Sequence, residues 1–245
     1  MSGYGGYVDN LVYDDVDALA DAAAHHIATV LEDAIRDRDT ASLCVAGGAT
    51  PRAAYQRLAS THATTVDWSR VEVWFGDERC VPSADRQSNY LMVDEALIGR
   101  VGIPSTNVHR IAGELDPAEA ARAYDVALHA AFPEVLGEPS FDLLLLGIGT
   151  DGHVASLFPD GPALLEVARW AMAVEPPQLE PRVARVTLTP PILQRARRVL
   201  YLVSGEPKRA IARRVLLGSE ALPAALVRGR EQTLWLMDMG ASPGR

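Results

Sequence analysis

Four consecutive leucines, Leu143 to Leu146, follow Phe141-Asp142 and run into Gly147-Ile148-Gly149. No polar residue alternates with them, so the run predicts a strand buried on both faces. Apolar runs at 41–46, 71–75, 199–203 and 233–237 predict further strands, as do shorter stretches at 10–13, 108–111, 170–174 and 183–188. Elsewhere the period lengthens. Val16, Leu19, Ala23, Ile27, Val30 or Leu31, and Ala34 share one face of a helix that Asp14 or Asp15 can cap and that runs to about residue 38. Further helices are expected after Thr50-Pro51 to about residue 58, from Ser88-Asn89 to about 98, over 117–131 behind Asp116, and from about 206 to 217. Strand and helix alternating in this way predict an α/β fold. Its sheet is open and mostly parallel, with helices on both faces, in a single domain over residues 1–245.

In such sheets ligands bind in the crevice at the carboxyl ends of the strands. The leucine strand delivers Gly149-Thr150-Asp151-Gly152-His153 there, which makes Asp151 and His153 candidate site residues. Gly147, Gly149 and Gly152 also satisfy the spacing of a dinucleotide fingerprint, with Glu175 as a candidate ribose acid. That fingerprint needs a long helix directly after the third glycine, and Pro159 stops one within two turns. A nicotinamide or flavin cofactor is therefore not expected. The strand at 41–46 opens into Gly47-Gly48-Ala49-Thr50-Pro51, which reads either as a phosphate cradle or as a plain strand-to-helix turn. Thr50 can cap the helix or donate its hydroxyl, and Pro51 suits a first helical position. The P-loop lysine is missing, which disfavours a nucleoside triphosphate. The strand at 71–75 ends in Gly76-Asp77-Glu78-Arg79, where the charges either cap the strand in solvent or orient Arg79 toward an anion.

Composition narrows the partners. A net charge of −9 argues against nucleic acid or an anionic membrane as main partner. No apolar run is long enough to span a bilayer, and the amino terminus lacks the basic and apolar regions of a signal peptide. With two cysteines and no metal-ligand spacing, reduced thiols and a cytoplasmic location are the expectation. Of the 23 basic residues only Lys208 is lysine. It is either a chance survivor or a compact ammonium kept where arginine's fork does not fit.

Three separated stretches resemble the 6-phosphogluconolactonase family: Ala46-Gly47-Gly48-Ala49-Thr50-Pro51, Trp74-Phe75-Gly76-Asp77-Glu78-Arg79 with Ser88-Asn89-Tyr90, and the run from Leu146 through Asp151-Gly152-His153 to Phe158-Pro159. Arg185-Val186-Thr187-Leu188-Thr189 and Gly205-Glu206-Pro207-Lys208 are similar to the family's carboxyl-terminal signals. The resemblance implies a Rossmann-like fold of sugar-phosphate isomerase/deaminase type. It also implies hydrolysis of 6-phospho-D-glucono-1,5-lactone to 6-phospho-D-gluconate without a cofactor. Glucosamine-6-phosphate deaminase is the neighbouring alternative, but its Asp-Gly-His turn typically runs on to an acid that Ala155-Ser156-Leu157-Phe158-Pro159 lacks. A non-catalytic sugar-phosphate sensor is the other. Ala49 departs from the serine frequent in lactonases, and Gln87 stands where an acid is common.

The residues suit lactone opening. One histidine can take a proton from water and return it to the leaving ring oxygen, and His153 is the candidate. Asp151 can fix its tautomer. Arg79 and turn amides can face the oxyanion. Lys208, Arg185 and the Gly47, Gly48, Thr50 loop can hold the phosphate, with Asp77 on the same rim. No metal is required, since the lactone is itself electrophilic. No Gly-x-Ser-x-Gly elbow is present to support a serine hydrolase. A phosphorylated sugar lactone is the expected partner, of a monomer or small homo-oligomer.

Overall fold

The computed structural model describes residues 7–132, 140–178, 180–218 and 222–244. The chain runs β1 (Tyr7–Tyr13), α1 (Val16–Arg38), β2 (Ala41–Val45), α2 (Ala49–Thr61), β3 (Val71–Phe75), β4 (Asp77–Arg79) and α3 (Asn89–Ala96). It continues through β5 (Val108–His109), α4 (Pro117–Ala131), β6 (Leu143–Leu146), β7 (Ala171–Val174) and β8 (Arg185–Leu188). It closes with α5 (Pro190–Leu193), β9 (Arg198–Val203), α6 (Arg209–Leu216), α7 (Pro223–Leu226) and β10 (Gln232–Asp238).

Seven strands form one parallel sheet in the order β1-β10-β9-β6-β2-β3-β5. All four leucines of β6 are buried, as a strand covered on both faces requires. From β2 the chain adds β3 and β5 on one side, then returns to lay β6, β9 and β10 on the other. The loops after β2 and β6 thus leave a crevice at the point where the winding reverses, which is where open α/β sheets bind ligands. Helix α1 starts where the Asp15 carboxylate accepts from the Ala18 N–H at 2.8 Å, and it ends on Asp39 in the left-handed region, φ 69°. Its buried face, including Leu19, Ala23, Ile27, Leu31 and Ala34, packs on the sheet and on α2.

The remaining strands form a second sheet, antiparallel, in the order β4-β8-β7. Here the structure corrects the reading of a purely carboxyl-edge charge cluster. Asp77-Glu78-Arg79 is itself a strand, made by a bend at Gly76, and it pairs with Arg185 to Thr187. The stretches at 170–174 and 183–188 belong to this small sheet rather than to the large one. Other differences are local. The first strand starts at Tyr7, the strand at 108 has two residues, and the helix expected over 206–217 begins as a 3₁₀ turn, Glu206–Lys208, before α6. Gly48, not Thr50, is the N-cap of α2, with φ +109° and no side-chain cap. Pro51 consequently sits in the third helical position rather than the first.

Candidate active site

The turn after β6 is closed by its own backbone: the Gly149 N–H donates to the His153 carbonyl at 2.8 Å, and the Gly152 N–H to the Gly149 carbonyl at 3.0 Å. Gly152 adopts φ +95°, a conformation that side chains rarely tolerate. Inside this loop Asp151 Oδ1 lies 2.6 Å from His153 Nδ1 and accepts from the His153 N–H at 3.1 Å. Gly149 is the residue that leaves room for the pair. A β-carbon there would stand 2.0 Å from His153 Nδ1 and 2.4 Å from Asp151 Oδ1. Burial raises the Asp151 pKa, but the ring and backbone hydrogen bonds from His153 outweigh it and leave the carboxyl below its usual range.

The His153 ring faces a cleft of about 400 Å³ at the switch point. Gly47, Gly48, Thr50, Asp77, Arg79, Arg185 and Lys208 also line it, whereas Asp151 stands behind His153. Thr50 does not cap α2, so its hydroxyl is not committed to the helix. With a glycine as N-cap, the first N–H groups of that helix have no side-chain acceptor, the usual setting for an anion. Lys208, half-buried in the turn before α6, is pushed down by burial, and the nearby Asp151 partly opposes this. Arg185 is 5% exposed. Burial lowers its pKa, Asp77 opposes that, and Arg79 adds to it.

Both guanidinium groups hold an unpartnered donor. Arg79 donates to the Gln87 carbonyl at 2.6 Å, and Arg185 to Ser156 Oγ at 3.4 Å and the Pro181 carbonyl at 3.2 Å. Their Nε–H groups are nonetheless buried without a partner in the protein. An unsatisfied buried donor costs about 1–3 kcal/mol, a cost that placing these two guanidinium groups beside the cleft incurs. Among the described residues no three His, Cys, Asp or Glu side chains converge as metal ligands, and no helix is long and apolar enough to cross a membrane.

A family model for glucosamine-6-phosphate isomerases and 6-phosphogluconolactonases matches residues 14–235. The chain belongs to this family. It is 38% identical over 241 residues to the 6-phosphogluconolactonase of Mycobacterium tuberculosis, across 94% of this chain and 96% of that one. To the Streptomyces coelicolor 6-phosphogluconolactonase it is 36% identical over 242 residues, across 95% and 92%. The structure of the Thermotoga maritima 6-phosphogluconolactonase matches with a TM-score of 0.84 at 31% identity, covering 95% of this chain and all of that one. A monomeric glucosamine-6-phosphate deaminase matches with a TM-score of 0.80 at 22% identity, a likeness of fold alone.

Within this family member the cleft rests on residues the sequence reading left without a role. Ser156 is fully buried and donates to Asp77 Oδ2 at 2.6 Å, while Asn89 donates to Asp77 Oδ1 at 3.0 Å. The Asn89 side chain lies where a β-carbon on Gly47 would be, 2.0 Å from its Oδ1, so the first glycine is needed for a close approach. Buried Glu78 accepts from Ser88 Oγ and from the N–H groups of Arg79, Asn89 and Tyr90, fixing the start of α3 against β4. It neither caps a strand in solvent nor orients the Arg79 guanidinium. Asp238 anchors the Ser204-Gly205 turn that precedes Lys208. Gln87 contributes its main-chain carbonyl, a contact available to any side chain. Phe158 packs 4.7 Å from the His153 ring and lies under the Arg185 guanidinium at 5.5 Å. Ser156, Asn89 and Phe158 stand inside the stretches that resemble the family, which was the available signal. Asp238 had none.

Proposed function

We propose that this chain hydrolyses 6-phospho-D-glucono-1,5-lactone to 6-phospho-D-gluconate, the second step of the oxidative pentose phosphate route, with His153 as general base. The observation that carries the reading is His153, paired with Asp151, lining a cleft that three cations also line. Asp151 engages Nδ1, which leaves Nε2 to take a proton from water. The oxygen of that water bonds to C1 of the lactone, and the carbonyl electrons move onto an oxyanion. Arg79 and turn amides stabilise that charge. Collapse re-forms the carbonyl and breaks the bond from C1 to the ring oxygen, which receives the proton held on His153. The carboxylic acid then ionises to the product. Lys208, Arg185 and the Gly47–Thr50 loop hold the phosphate and so fix the ring over His153.

Product release, measured with a 6-phosphogluconate-dependent coupled assay and corrected for spontaneous hydrolysis, tests the activity. His153→Ala should lose turnover by at least about 10²-fold. Full turnover in that variant would remove His153 from the mechanism. Ammonia release from glucosamine-6-phosphate, with no lactonase activity, would assign the cleft to deamination instead.

A further inference from the structure

The two edges of the large sheet are unequal. At one end β5 has two residues, too short to template another chain. At the other, β1 offers seven, Tyr7-Val8-Asp9-Asn10-Leu11-Val12-Tyr13, with no proline, lysine or arginine to blunt it. Four of the exposed large hydrophobics among the described residues lie on this strand: Tyr7 at 81%, Val8 at 46%, Leu11 at 48% and Val12 at 47%. Its inner side is used by odd residues, since the Tyr7 N–H donates to the Glu231 carbonyl and the Tyr13 carbonyl accepts from the Met239 N–H. Alternation along the strand then turns the N–H and C=O groups of Val8, Asn10 and Val12 outward.

The strand also reads almost the same in both directions. About Asn10, Val8 mirrors Val12 and Tyr7 mirrors Tyr13, leaving only Asp9 against Leu11. We propose that two copies of this chain associate by antiparallel pairing of β1 with β1 about a two-fold axis at Asn10, which continues the sheet from one copy into the other. An isologous contact sets each residue against its mirror position, and this sequence supplies like with like there. Val8 faces the partner's Val12 and Asn10 faces Asn10, in pairs that exchange about six backbone hydrogen bonds through the outward groups. On the other face Tyr7 meets Tyr13, an aromatic cross-strand pair, and Asp9 meets leucine rather than a second carboxylate. Val8 borders a small groove whose apolar part is formed by Val215, Leu216 and Val227, so the partner's Val12 would extend that part.

Sedimentation velocity from about 1 to about 100 μM tests the proposal. The wild-type chain should approach twice its 26.4 kDa mass. A Val8→Lys/Val12→Lys variant, altered only at exposed positions, should stay monomeric with unchanged cleft activity. Register is read by cross-linking. Asp9→Cys mixed with Leu11→Cys should form a disulfide dimer that neither variant forms alone, because opposed residues there lie about 4.5 Å apart between Cα atoms. A monomeric wild type, whether its edge is covered by its own chain, by another protein or by water, overturns the proposal. So does a dimer that survives the double lysine variant, or cross-linking that is equal in each single cysteine variant.

Discussion

Replacing Gly149 by alanine adds one methyl group at the place where the turn gives His153 and Asp151 their room. The new carbon would stand 2.0 Å from His153 Nδ1, about 1 Å inside the 3.0 Å below which real β-carbons are essentially never found. The backbone there is tied by the Gly149 to His153 and Gly152 to Gly149 hydrogen bonds, so the imidazole is the part that yields, toward the cleft it already lines. A displacement of that size at a reacting group costs on the order of 10²-fold in rate, equivalent to about 2.7 kcal/mol of barrier. Stability should suffer less. Because the ring moves into open space, a loss near 1 kcal/mol is expected, about 2–4 °C in Tm for a chain of this length. The assay is kcat and KM for 6-phosphogluconate release from the lactone, with thermal melting in parallel. The expected result is a drop of about 10²-fold in kcat and a KM within about threefold. Asp151→Asn should also lower kcat, and the double variant should be no worse than the worse single one, since both act through the same ring. A folded Gly149→Ala enzyme with kcat within about threefold of wild type would refute the positioning argument.

Other outcomes follow from the same geometry. Lys208→Ala should raise KM for the phosphorylated lactone far more than it lowers kcat, and Lys208→Arg should restore it only partly, because a guanidinium does not reproduce a compact ammonium. Glu78→Ala should destabilise the chain by about 3 kcal/mol or more in urea unfolding, since three backbone N–H groups and a serine hydroxyl lose their buried acceptor. Asp151 has a depressed pKa in the folded chain, so its stabilising contribution is present above the ordinary carboxylate pKa near 4 and fades as pH falls through the folded value. Asp151→Asn should accordingly be less stable than wild type at neutral pH, and the gap should narrow below about pH 4 in acid denaturation.

The large sheet was legible because its central strands are short, mostly apolar stretches, broken at most by a single polar residue such as Ser42 or Glu72, and the all-leucine β6 marks a strand covered on both faces. The rim was legible for the same reason: once the strands are parallel, whatever follows them gathers at one end. His153, Lys208 and the Gly47-Gly48 loop could thus be placed together from distant parts of the sequence. The small antiparallel sheet was not legible. Asp77-Glu78-Arg79 carries no strand periodicity, and its strand character comes from partners more than 100 positions away in β8. Buried polar chemistry was hidden too. Nothing local distinguishes a Glu78 that holds the start of α3 from a solvated glutamate, and Asp238 acquires its role only when β10 lies beside β9. Of the two roles open to Thr50, the cap fails because Gly48 reaches a φ that places the helix start two residues earlier.

The lone lysine has a practical corollary. Apart from the α-amino group, the chain has one primary amine, and it lines the cleft. Burial lowers its pKa, so more of it is the neutral nucleophile at a given pH than of a solvated lysine. Beyond a constant label at the α-amino group, an amine-reactive probe therefore reports on this cleft against a background of 22 arginines that do not react with it. Labelling stoichiometry, followed as a sugar phosphate is added, converts occupancy of the cleft into a mass shift in the unmodified chain.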